Sequence, residues 1–172
     1  NSVDSDYSFG RSVTLGEGVA VVGAYNEKID RSRGCAYIFS FEDGEWDLSE
    51  KLEPAWGALN FGESVCVNGD VLLVSYESGS LGLNGQDSSS NHGGAGVYRR
   101  TGGPWLFEGL LGYPNAHTRD GRESVSYNVS LSGGRAAVLE VFKYTDGAYL
   151  RDVDIFKFEN DVWSYERTFH SD

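Results

Sequence analysis

Few residues in this chain have types and spacings that could do chemistry. Cys35 and Cys66 are the only cysteines. In a chain read as secreted, two cysteines suggest one disulfide, Cys35–Cys66; the other reading is two buried thiols in strands. No His or further Cys stands at ligand spacing to either, so they do not make a zinc site. Asn128-Val129-Ser130 is the only Asn-x-Ser/Thr triplet, and Asn128 would accept an N-glycan where it is exposed. Ser88-Ser89-Ser90 reads as a flexible polar loop or an O-glycan tract. His92, His117 and His170 sit in no Gly-x-Ser-x-Gly elbow and at no metal spacing, and read as surface histidines. Carboxylates are plentiful, but nothing selects a catalytic pair. Gly82-Leu83-Asn84-Gly85 lacks the Lys of a phosphate loop. The chain is therefore read as a non-enzyme with no cofactor. Trp56 and Tyr113 are the candidate ligand-binding residues. Each lies in a link beside polar neighbours, where an aromatic face can stack on a sugar or cover a structural junction.

The 172 residues carry a net charge of −12, and 40% are hydrophobic and 13% aromatic. Such a chain can bury a core. Its acidity opposes nucleic acid, which needs clustered Lys and Arg, and opposes docking on anionic membranes. No apolar run approaches the roughly 18 residues of a membrane-spanning helix. The chain starts at Asn1 without Met or a signal peptide, so it reads as a processed protein or a piece of a longer one.

Internal repetition organises the sequence. One segment opens Phe9-Gly10-Arg11-Ser12-Val13-Thr14-Leu15, continues Gly18-Val19-Ala20-Val21-Val22-Gly23-Ala24, then Gly34-Cys35-Ala36-Tyr37-Ile38-Phe39, and closes at Trp46, Lys51 and Leu52. A second opens Phe61-Gly62-Glu63-Ser64-Val65-Cys66-Val67 and runs through Asp70-Val71-Leu72-Leu73-Val74-Ser75 and Gly94-Ala95-Gly96-Val97-Tyr98 to Trp105 and Leu111. A third, more worn, has Val125-Ser126 in place of Phe-Gly, then Tyr127 to Leu131, Arg135 to Leu139, Val153 to Phe156, and Trp163. Trp46, Trp105 and Trp163 recur at intervals of 59 and 58 residues.

Within each repeat, short Val, Ile, Leu, Tyr and Phe runs alternate with turn residues, and no helical stripe persists. Four strands per repeat are expected, in the first near 9–15, 18–24, 35–41 and 45–52. Gly16-Glu17, Asn68-Gly69 and Ser132-Gly133-Gly134 make the first hairpin turns; Asp43-Gly44, Gly102-Gly103 and Asn160-Asp161 make the last. The link between second and third strands varies: Asn26 to Arg33, Ser78 to Gly93, and a tight Asp146-Gly147 turn. The expected fold is all-β, one repeat domain of three four-stranded antiparallel units at about 9–52, 61–111 and 125–169, like β-propeller blades.

The Phe-Gly opening, the Val-Gly-Ala strand and the Gly-x-x-Tyr-x-Phe strand resemble the FG-GAP repeat family, the propeller class of integrin α-subunit heads. The resemblance covers about residues 7–169. It implies an extracellular or cell-surface module for adhesion or recognition, not an enzyme. Many members hold calcium in the loop between strands one and two, which takes about six to eight oxygens. The turns here cannot supply them, and Asp4 and Asp6 read as a solvated acidic end. Closed propellers take roughly 4–8 blades, so three blades require completion by missing sequence, by a ring of copies or by a head-to-tail filament. The function expected is a non-catalytic structural or adhesive module, with itself, other surface proteins or glycans as partners; the alternatives are a lectin with sites at the inter-blade links and, behind it, an accessory part of a larger enzyme.

Overall fold

Turn chemistry fixes the register of the first and last sheets. Asp43-Gly44, Gly133-Gly134 and Asn160-Asp161 have positive φ at both central residues, the two-residue turn whose twist matches paired strands. Each is flanked by a pair of strand partners: Glu42 with Glu45, Ser132 with Arg135, and Glu159 with Val162. A computed structural model describes residues 8–29, 32–54, 58–77, 93–112, 124–143 and 149–171. Among these there is no helix.

The strands are β1 (Ser12–Gly16), β2 (Val19–Ile29), β3 (Ser32–Glu42), β4 (Glu45–Leu52), β5 (Val65–Asn68), β6 (Val71–Tyr76), β7 (Gly94–Arg99), β8 (Leu106–Gly112), β9 (Ser124–Ser132), β10 (Arg135–Lys143), β11 (Tyr149–Glu159) and β12 (Val162–His170). They form three four-stranded antiparallel sheets in chain order, β1–β4, β5–β8 and β9–β12, called sheets 1, 2 and 3 below. Sequence and structure thus agree on an all-β chain of three such sheets.

Three details differ from the sequence expectation. β1 begins at Ser12, because Phe9-Gly10 stands outside the strand with Gly10 at φ 86°. The first two hairpins turn at Glu17-Gly18 and Gly69-Asp70, one residue later than expected, because Gly16 pairs with Val19 and Asn68 with Val71. The segment from Asn26 to Arg33 is mostly strand rather than loop, since Lys28 pairs with Arg33 and Ile29 with Ser32 beyond a bulge. The links at 78–92 and 144–148 lie outside the described residues.

The repetition extends to irregularities. Each sheet has a bulge between its third and fourth strands, at Ile38/Phe39, Val97/Tyr98 and Ile155/Phe156. Past it stand equivalent cross-strand pairs: Phe39 with Leu48, Tyr98 with Phe107, Phe156 with Tyr165. At the hairpin end, Phe41 meets Trp46 with ring centroids 5.1 Å apart and Phe158 meets Trp163 at 5.2 Å. In sheet 2 the guanidinium of Arg100 takes that place, 5.2 Å over Trp105.

The sheets pack face to face in chain order. One core joins Val19, Val21 and Ile38 of sheet 1 to Val67, Leu72 and Val74 of sheet 2, with Phe61 buried beside them. A second joins Leu73, Val97 and Leu111 of sheet 2 to Ala136, Val138 and Phe156 of sheet 3. The first strands are neighbours across these junctions, β1 against β5 and β5 against β9.

Candidate functional site

Alternation in β1 is inverted. Ser12, Thr14 and Gly16 turn toward sheet 2, whereas Val13 and Leu15 are 69% and 73% exposed. Register carries the same face across the sheet. Val13 lies opposite Val22 and Val22 opposite Tyr37; Phe39 lies opposite Leu48 and Phe41 opposite Trp46. This front face of sheet 1 exposes Phe41, Trp46 and Leu48 as well as the two β1 residues. On sheet 2 the residues matching Val13, Leu15 and Trp46, which are Val65, Val67 and Trp105, are buried under sheet 1, whereas Phe107 and Tyr165, which match Leu48, stay exposed.

A polar cluster closes one end of this face. The Glu27 carboxylate accepts hydrogen bonds from Cys35 Sγ at 3.1 Å, Tyr37 OH at 2.8 Å and Lys51 Nζ at 2.7 Å. Burial pushes the Cys35 thiol up to about 12, and the adjacent Glu27 carboxylate adds to this. At neutral pH the thiol is therefore a proton donor and not a nucleophile.

Both cysteines are free thiols, so the expected Cys35–Cys66 bridge is not formed. The reason is orientation. Cys35 is committed to Glu27 within sheet 1, whereas Cys66 hydrogen-bonds the backbone of Leu131 in sheet 3. Burial raises the Cys66 thiol as well.

Asn128 is exposed on β9, on the back face of sheet 3, the face turned away from sheet 2. The surroundings of that face are charged, with Arg135 paired to Glu166 at 2.9 Å and Lys157 to Glu159 at 2.8 Å. Trp56, Tyr113, His92, His117, Asp4 and Asp6 lie outside the described residues. His170 is half exposed and its Nδ1 lies 2.9 Å from Asp152 Oδ1.

The sequence reading missed a row of acids on the front of sheet 3. Glu140, Asp152 and Asp154 are fully buried against sheet 2. Thr168 donates to Asp154, and Tyr165 and Thr168 share a hydrogen bond at 2.8 Å. Asp152 and Asp154, on the same face as Phe156 and alternating with Val153 and Ile155, were the available signal. Full burial closes these carboxylates to any substrate. The groove between sheets 1 and 2, lined by Glu17, Glu50, Asp70 and Arg100, offers no open stacking platform either. Arg100 covers Trp105, which is 4% exposed, and the Trp105 amide donates to Glu50 at 3.1 Å. Among the described residues no group of His, Cys, Asp or Glu could hold a metal ion.

The candidate site is therefore a pair of outward sheet faces: the apolar front of sheet 1, and the back of sheet 3, where charged pairs stand beside half-buried Leu139 and Ile155 and exposed Phe169. No protein-family model and no curated protein matches the chain.

Proposed function

We propose that this chain is a non-catalytic structural or adhesive module of the FG-GAP-like propeller type, its three sheets acting as successive blades. It works by joining its uncovered faces to further sheets and so self-associates as a ring or filament. One observation carries the reading: Val13, Leu15 and Trp46 on the front of sheet 1 stand in water, whereas their counterparts on sheet 2, Val65, Val67 and Trp105, are buried. Each large side chain left in water forgoes about 1.5–3 kcal/mol of transfer free energy, so contiguous exposure at this scale marks an interaction surface. The protonated Cys35 thiol and the sealed carboxylates of sheet 3 support a non-catalytic role. An extracellular address belongs to the proposal on the strength of the family resemblance.

The test is mass in solution. Light scattering on a sizing column should give multiples of 18.8 kDa. A stable monomer at all concentrations overturns the self-association.

A further inference from the structure

The first strands are stitched together by one recurring device. Counting back from the hairpin pairs Gly16–Val19, Asn68–Val71 and Ser132–Arg135, three triplets occupy the same place: Ser12-Val13-Thr14, Ser64-Val65-Cys66 and Asn128-Val129-Ser130. Their outer members point at the next sheet. Thr14 Oγ1 accepts from the Val67 amide at 3.4 Å, and Cys66, at the matching position, bonds the backbone of Leu131. Ser64 Oγ accepts from the Val129 amide at 3.2 Å, and Ser12 Oγ donates to the Gly62 carbonyl at 3.2 Å. Thr14, Ser64 and Cys66 thus reach the outer edge of the following first strand, and Ser12 reaches the Gly62 carbonyl just before it.

Both ends of this seam are open. Asn128 and Ser130 on β9 are exposed and hold the acceptor positions. On β1 the corresponding amides belong to Val13 and Leu15, neither of which has a side-chain acceptor among the described residues. The same β1 residues head the bare apolar face. The seam also accounts for the lone glycosylation triplet: Asn-Val-Ser is the third instance of a polar-Val-polar rule.

We infer that a second copy of this chain docks head to tail, its sheet 1 front on the sheet 3 back, with Ser130 Oγ accepting from Leu15 N and Asn128 Oδ1 from Val13 N of the next copy. The inference rests on the self-association proposed above and names its surfaces and direction. The joint continues an interface the molecule already makes twice, which is why the occupant is a copy. It is weaker than the junction between sheets 1 and 2. Gly23 and Gly34 of sheet 1, which admit the backbone of Phe61-Gly62, correspond to Leu139 and Arg151 on sheet 3. The outer strands of two copies therefore meet less closely, and the association reverses on dilution.

Two single variants test this. Leu15→Glu spoils the front of sheet 1, and Ser130→Arg spoils the back of sheet 3; both positions are solvent-facing in one copy. Head-to-tail docking predicts that each variant alone is a monomer, and that an equimolar mixture gives a 1:1 heterodimer with twice the monomer mass and no larger species. The heterodimer also shows that both variants fold. If Leu15→Glu is monomeric while Ser130→Arg still associates, the copies meet front to front: self-association stands and the head-to-tail joint falls. If both variants are monomers that do not recombine, although circular dichroism shows both folded, the joint falls too. If the unmodified chain is itself a monomer, the underlying reading falls first.

Discussion

At the scale of single residues, Glu27 is the most committed side chain on the front of sheet 1. Burial pushes its carboxyl up, but the hydrogen bonds from Lys51, Cys35 and Tyr37 outweigh this and leave it below its ordinary 4.5. A carboxyl with a depressed folded-state pKa binds fewer protons folded than unfolded. Its contribution is then fully present above about 4.5 and is lost as pH falls through the folded value. Urea midpoints should therefore drop between pH 6 and about 3 more steeply in the unmodified protein than in Glu27→Gln. At neutral pH the substitution should cost on the order of 1 kcal/mol, as expected for a partly solvated charged hydrogen bond. Parallel midpoint curves would show that the cluster contributes nothing. None of this was visible in the sequence, where Cys35 drew attention only as half of a disulfide. Strand alternation says which residues share a face, but not which of them meet across strands separated by a bulge.

At the scale of elements, the tightest fit is where sheet 2 enters sheet 1. A Cβ on Gly23 would stand 1.9 Å from the Gly62 carbonyl oxygen, and one on Gly34 would stand 2.0 Å from the Phe61 carbonyl oxygen. Backbone cannot yield as a flexible side chain does. Gly23→Ala should cost at least about 1–3 kcal/mol, the range of an overpacked core. Gly109→Ala in β8, where a Cβ meets nothing within 4 Å, should stay within about 0.5 kcal/mol of the parent. Equal denaturation midpoints for the two would refute the close fit. This is also where the sequence was most and least readable. The Phe-Gly and Gly-Ala pieces repeat, so the units and their turns could be counted from spacing alone. That Phe61-Gly62 is a plug between sheets could not, because an aromatic followed by glycine also reads as the start of a strand. The seam triplets were hidden for a similar reason: polar-Val-polar is ordinary alternation until the neighbouring strand is placed beside it.

At the scale of the whole molecule, the two terminal sheets differ in character. Sheet 1 turns Val13, Leu15, Phe41, Trp46 and Leu48 to solvent, whereas sheet 3 surrounds its outer face, which includes exposed Phe169, with Arg135, Lys157, Glu159 and Glu166. An associating protein is stabilised by mass action, since copies bind the folded state and not the unfolded chain. Its melting temperature should rise with protein concentration, and Leu15→Glu should abolish that dependence while leaving the dilute-limit melting temperature nearly unchanged. A concentration-independent melt in the parent would remove the thermodynamic basis of assembly.

The two kinds of contact between sheets differ in how much they specify. The glycine seat is a lock: Gly23 and Gly34 accept one backbone shape, and only the neighbour carrying Phe61-Gly62 supplies it. The seam between first strands is a universal coupling. Ser, Thr and Cys all serve in it, so it demands reach and polarity rather than identity. Repeats could be exchanged or added at the coupling without rewriting its chemistry, whereas the lock ties sheet 1 to sheet 2 alone. The first joint of this chain is accordingly written in its glycines, and its capacity to be extended is written in its small polar residues.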